Sequence, residues 1–235
     1  MTSCHVPDAA ESEVANVALI TGATGGLGRA CALELTAMGY CLVATGRTPG
    51  ALADLKEDID AAGGSVSLAA LDLADSNAIT GMIAAIATRW NRLDLVIHTA
   101  IHSSSLTPVP HINDLARAMQ VNVLATATLI QQAEPLLDAG STVVFCQDIH
   151  TTGKFSGAYG ASKAAQIALA CQWQQECRKI GPDIVIFQPE RMPTRCLRKH
   201  HPGISSDNLT APAIEARRLL TELGLESERC LRTGK

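Results

Sequence analysis

Tyr159 and Lys163 stand four residues apart in the run Tyr159-Gly160-Ala161-Ser162-Lys163. That spacing puts both side chains on one face of a helix, so a phenol and an ammonium group can address the same site. An unperturbed phenol titrates near ~10, and a neighbouring cation lowers that value by favouring the ionised form. A phenol tuned in this way can give a proton to a carbonyl oxygen, or take one from an alcohol. The spacing alone is common by chance and needs company.

That company lies far upstream, in Thr21-Gly22-Ala23-Thr24-Gly25-Gly26-Leu27-Gly28. Gly22 can make a tight turn, Gly26 lets a phosphate approach the backbone, and Gly28 permits close packing of helix on strand. With Thr24, Gly25 and Leu27 completing the loop, free N–H groups at a helix start face an anion, as a dinucleotide requires. Further along, Ala44-Thr45-Gly46-Arg47 lacks the acidic residue that would accept hydrogen bonds from ribose hydroxyls. A guanidinium at Arg47 can instead bind a 2′-phosphate through two charge-assisted bonds, which favours NADP(H) over NAD(H). Asp72, followed by Leu73, is placed to meet the adenine edge.

These groups need a frame, and the hydropathy pattern supplies one. Apolar runs at 17–21, 41–45, 66–71, 93–99, 142–146 and 183–188 read as strands. Helical stretches at 28–38, 50–62, 76–90, 112–136 and 158–180 alternate with them, and Gly39, Gly63, Gly140 and Gly181 stand at helix exits. Repeated βαβ units with right-handed crossovers give an α/β fold, a doubly wound and mostly or wholly parallel sheet with helices on both faces. The segment after Thr194 reads as irregular until a helix near 212–223, with a short last strand at 229–232. Residues 1–14 read as a flexible tail and 15–235 as a single domain.

A chain of 235 residues suits one such domain. Only 3% of it is aromatic, so Ala, Val, Ile and Leu must fill the core, which suits helix-on-sheet packing. The net charge of -4 offers no basic surface for nucleic acid. No apolar run reaches the ~18 residues a membrane span needs. The start of the chain has neither the basic-then-apolar layout of a signal peptide nor the Arg-rich character of a transit peptide, which points to the cytoplasm. Eight cysteines without C-x-x-C spacing read as buried thiols in a reducing compartment, and no histidine has metal-ligand spacing, so no metal is expected.

The glycine loop, the Tyr-x-x-x-Lys pair and the order of elements resemble the short-chain dehydrogenase/reductase family over about 17–194. The likeness is nearest to a bacterial subgroup of poorly defined substrate, on His111, His150 and the Pro-Thr-Arg stretch at 193–195. The resemblance implies a Rossmann-type sheet of about seven strands in the order 3-2-1-4-5-6-7. It implies a homodimer or homotetramer built on the helix pair 112–136 and 158–180. By the same resemblance Tyr159 is the general acid/base, and Lys163 binds the nicotinamide ribose and lowers the Tyr pKa. Asn122 holds a water of the proton relay, and Ala100, Pro189 and Thr194 flank the cofactor.

Three positions depart from the family's pattern. Its catalytic Ser falls on Cys146 when counted back from Tyr159, or on Gln147 or Asp148 with a gap. A thiol is a poor hydrogen-bond donor, so Cys146 would be a weak substitute. The family's Asn-Asn-Ala-Gly reads His98-Thr99-Ala100-Ile101, with the Asn hydrogen bonds lost, and its Pro-Gly reads Pro189-Glu190. A substrate wall is expected from 101–110, 149–156 and 192–203. The chemistry implied is NADP(H)-dependent reduction of a small carbonyl compound, or oxidation of an alcohol. A non-redox dehydration or isomerisation, or a non-catalytic NADP(H)-binding role, are the alternatives.

Overall fold

The computed structural model describes residues 15–103, 111–149, 156–201 and 203–225. Cys4, Cys230, His150 and the strand expected at 229–232 lie outside them.

Each apolar run becomes a strand: β1 Val17–Thr21, β2 Cys41–Gly46, β3 Ser65–Ala70, β4 Leu95–His98, β5 Thr142–Cys146 and β6 Asp183–Phe187. Every pairing is parallel and the order is β3-β2-β1-β4-β5-β6. β1 sits centrally and is buried along its whole length, which is why it reads as an unbroken apolar run. Alternation sorts its side chains to the two faces of the sheet. Ala18 and Ile20 join a core with Leu35 of helix α1 (Gly26–Ala37), Leu55 of α2 (Pro49–Ala61) and Leu219 of a C-terminal helix at Pro212–Glu222. Val17 and Leu19 face the other core, with Ile83 of α3 (Ser76–Trp90) and residues of the helices that follow β4 and β5.

Local chemistry sets the element ends. Asp75 caps α3 by accepting from the N–H groups of Asn77 and Ala78, and Asn91 closes it at φ 52 in the left-handed region. The N-cap of α1 is Gly25, which has no side chain to cap with, so the first N–H groups of that helix are left for another acceptor.

Two stretches correct the sequence reading. The single helix expected at 112–136 is α4 (Ile112–Met119), a π turn at Gln120–Leu124, α5 (Ala125–Ala133) and a short 3-10 turn. After α6 (Gly157–Cys177), the expected irregular segment contains a short helix, α7 (Arg195–His200), ahead of α8 (Pro212–Glu222). The described sheet has six strands.

Candidate active site

The ends of β1, β2, β4, β5 and β6 open on one cavity of about 760 Å³, at the carboxyl edge where parallel sheets place ligands. One wall is the glycine loop. Gly22 lies at φ +70, and a Cβ there would meet the Ala100 backbone at 2.8 Å. A Cβ on Gly28 would come within 2.5 Å of the Gly22 carbonyl oxygen. Both positions admit only glycine. Thr24, Gly25, Gly26 and Leu27 line the same wall, and Arg47, Asp72 and Leu73 continue it. The Asp72 carboxylate accepts from the Ala74 N–H at 3.0 Å and pairs with Arg117. Burial would raise its pKa, but those two bonds, with Arg117 and Arg47 as nearby charges, outweigh it and hold the group below its ordinary value. Thr45, at the end of β2, keeps a buried hydroxyl oxygen without a partner on this wall.

At the far end α6 presents Tyr159 and Lys163, both lining the cavity and both nearly fully buried. The phenol donates to Asp148 Oδ2 at 3.1 Å. Lys163 Nζ donates to the Cys146 carbonyl at 2.6 Å and to Gln166 Oε1 at 2.5 Å. Burial, then the neighbouring Cys196 and Asp148, push the phenol well above its ordinary value. The expected downward pull of Lys163 is therefore not what this arrangement delivers. Burial shifts Lys163 the other way and lowers its pKa.

Asn122 sits fully buried in the π turn and is not on the cavity wall. Its Oδ1 accepts from the His102 N–H at 2.6 Å, and its Nδ2 donates to the His102 carbonyl at 3.0 Å and to Ser162 Oγ at 2.8 Å. It thus pins the segment that follows β4 to α6. Cys146 lines the cavity, and burial, partly opposed by Lys163, pushes its thiol up to about 11. Ala100 and Pro189 also line the cavity. Thr194 turns its hydroxyl to the Leu197 N–H at 3.2 Å, capping α7, and lays its methyl over Gly26.

Residues 16–203 match the sequence profile of the short chain dehydrogenase family. The chain belongs to that family. An oxidoreductase of Escherichia coli, YciK, is 33% identical over 175 residues, which cover 69% of each chain. A sulfoacetaldehyde reductase of Chromohalobacter salexigens is 32% identical over 152 residues, 62% of this chain and 60% of that one. A short chain dehydrogenase structure from Shigella flexneri, complexed with NADP, superposes with TM-score 0.76 at 26% identity, covering 84% of this chain and 86% of that one.

Within this short-chain dehydrogenase, His98, Thr99 and Glu190, which depart from the family pattern, are held by hydrogen bonds. His98 shares hydrogen bonds with Thr21 Oγ1 at 2.8 Å and Thr126 Oγ1 at 2.9 Å, and Thr99 Oγ1 donates to the Thr21 carbonyl at 2.7 Å. His98 and Thr99 thus tie the end of β4 to β1 and α5. Glu190 is held through its backbone N–H, which donates to the buried Glu215 at 3.0 Å. Arg218 donates to the same carboxylate at 2.7 Å and to the Gln188 carbonyl at 2.6 Å, so α8 clamps the end of β6. Of the three residues weighed for the Ser position, Asp148 is the one bonded to the phenol, while Gln147 Oε1 accepts from Gln188 at 2.9 Å. Of the expected substrate wall, residues 104–110, 150–155 and 202 lie outside the described residues. Cys196 and His200, within the substrate wall expected at 192–203, reach Tyr159 from α7; the sequence does not mark 195–200 as a helix, so these contacts could not be read from it.

Proposed function

We propose that this protein is an NADP(H)-dependent reductase of a small carbonyl compound, able to run in reverse on the alcohol. The observation that carries this reading is one cavity lined by the glycine loop and Arg47 at one end and by Tyr159 and Lys163 at the other. The fit to the cofactor rests on two features. The loop glycines pack tightly against the backbone of Gly22 and Ala100 and so hold the uncapped start of α1 at the cavity wall, and Thr45 Oγ1 lacks a partner on the same wall. Gly25, Gly26 and the uncapped N–H groups of α1 hold the diphosphate, and Arg47 pairs with the 2′-phosphate. Asp72 and Leu73 flank the adenine, and Ala100, Pro189 and Thr194 border the nicotinamide end. A bound nicotinamide supplies the hydride.

The chain's own work is proton transfer and positioning. Tyr159 gives its phenolic proton to the carbonyl oxygen. Its O–H bond breaks as the alcohol O–H forms, and Lys163 stabilises the phenolate left behind. Lys163 also reaches the nicotinamide ribose, and Asn122 holds the Tyr159 helix in place through Ser162. Cys146 contributes its carbonyl oxygen, which fixes Lys163, more than its thiol. The helix pair α4–α5 and α6, with Leu124 54% exposed and Ile112 75% exposed, forms the contact of a homodimer or homotetramer.

Asp148 supports a second reading. A carboxylate bonded to the phenol can share a proton with it, which suits dehydration or isomerisation. Calorimetry with NADPH and NADH, followed by a panel of aldehydes and ketones, separates the two. The reductase reading predicts tighter NADPH binding and carbonyl-dependent loss of the reduced-nicotinamide absorbance. Product formed with that absorbance unchanged would favour the second.

A further inference from the structure

Carbonyl reduction gains from a second hydrogen-bond donor at the substrate oxygen, beside the acid. No serine hydroxyl stands at residues 146–148, and none of the three side chains there replaces it well. The Cys146 thiol is a weak donor. Asp148 accepts from Tyr159, and Gln147 is tied to Gln188.

Helix α7 brings another group. Cys196 and His200, four residues apart, share a helical face, and that face meets the phenol. The His200 ring lies nearly parallel to the Tyr159 ring, 27° between planes and 5.0 Å between centroids. His200 Nε2 shares a 2.8 Å hydrogen bond with Ser103 Oγ. His200 Nδ1 is buried and has no partner. Two other side-chain atoms among the described residues are in that condition, Thr45 Oγ1 and Arg191 Nε, and all three belong to residues lining the cavity. An unpaired buried polar atom is costly, and its confinement to the wall of a binding cavity marks where a ligand completes the bonding.

Resting on the reductase reading, we propose that His200 Nδ1 donates the second hydrogen bond to the substrate's carbonyl oxygen, in place of the missing hydroxyl. A hydroxyl proton donated by Ser103 to Nε2 leaves the ring proton on Nδ1. The stacked rings put the imidazole directly beside the phenol, and both residues line the cavity. His200 keeps its proton throughout, and the proton that ends on the alcohol is the one from Tyr159. Burial, with Lys199 and His201 close by, holds His200 below the usual imidazole range, so the ring stays neutral at neutral pH.

The test is a set of substitutions at position 200, assayed with NADPH and the best carbonyl of the panel. Phe keeps a stacked ring without nitrogen, Asn carries an N–H near the place of Nδ1, and Gln carries one near Nε2. The expected result is kcat lower by about 10²–10³-fold for His200→Phe, nearly as low for His200→Gln, and largely restored for His200→Asn. NADPH affinity, read by calorimetry, stays the same in all three. Activity of His200→Phe within a few-fold of the parent, or equal losses in Phe and Asn, would overturn the proposal alone. A parent protein that binds NADPH but reduces no carbonyl would overturn the reductase reading, and this proposal with it.

Discussion

Gly22 and Arg47 line the proposed cofactor end of the cavity, and each can be tested by one substitution. Gly22 combines a left-handed backbone with a Cβ position 2.8 Å from Ala100 Cα. Gly22→Ala should lose about 1–3 kcal/mol of stability, read from the urea midpoint, together with NADPH binding. Arg47→Asp replaces the proposed partner of the 2′-phosphate with a charge that would repel it. We expect NADPH affinity to fall on the order of 10–100-fold while NADH affinity holds or rises, measured by calorimetry. These residues were legible because glycine spacing and a missing carboxylate leave a mark in one dimension. Asp148 reads only as one of three places for the missing serine and His200 only as part of a substrate wall; the contacts that define them, with Tyr159 11 and 41 residues away, leave no mark in the sequence.

At the scale of elements, β1, β4 and α5 are tied together by one side chain. His98 is 2% exposed and bridges Thr21 and Thr126. Burial, then the Lys163 charge, pushes its pKa from 6.5 down to about 3. The folded protein therefore keeps a neutral ring over a range where the unfolded chain takes up a proton. Its contribution is whole above pH about 6.5 and is lost as pH falls toward about 3. Urea midpoints measured from pH 7 to pH 4 should fall more steeply for the parent than for His98→Gln. All six described strands were legible to within two residues at each end, because a strand covered on both faces must be an apolar run. The π turn was not, since Gln120–Leu124 continues the helical periodicity and departs from it only in backbone pairing. Helix α7 escaped too: Arg195–His200 is polar, six residues long and contains no fully buried side chain, so it left no periodic signal.

Across the whole molecule, the helix pair that holds Tyr159 also offers Ile112 and Leu124 to solvent in the single chain. Light scattering should report a dimer or tetramer, and Leu124→Glu should shift it toward monomer without loss of fold. No helix among the described residues is long and apolar enough to cross a membrane, and the six cysteines described are free thiols. The cavity, the glycine loop and the Tyr–Lys pair converge on one claim: a buried phenol delivers the proton when hydride reaches a carbonyl. The most direct test follows NADPH consumption in the presence of a carbonyl panel, for the parent protein and for Tyr159→Phe. The parent should consume NADPH with at least one carbonyl, and Tyr159→Phe should be slower by about 10²–10⁴-fold while binding NADPH as tightly. Equal rates in the two proteins, or no carbonyl-dependent consumption by the parent, would contradict it.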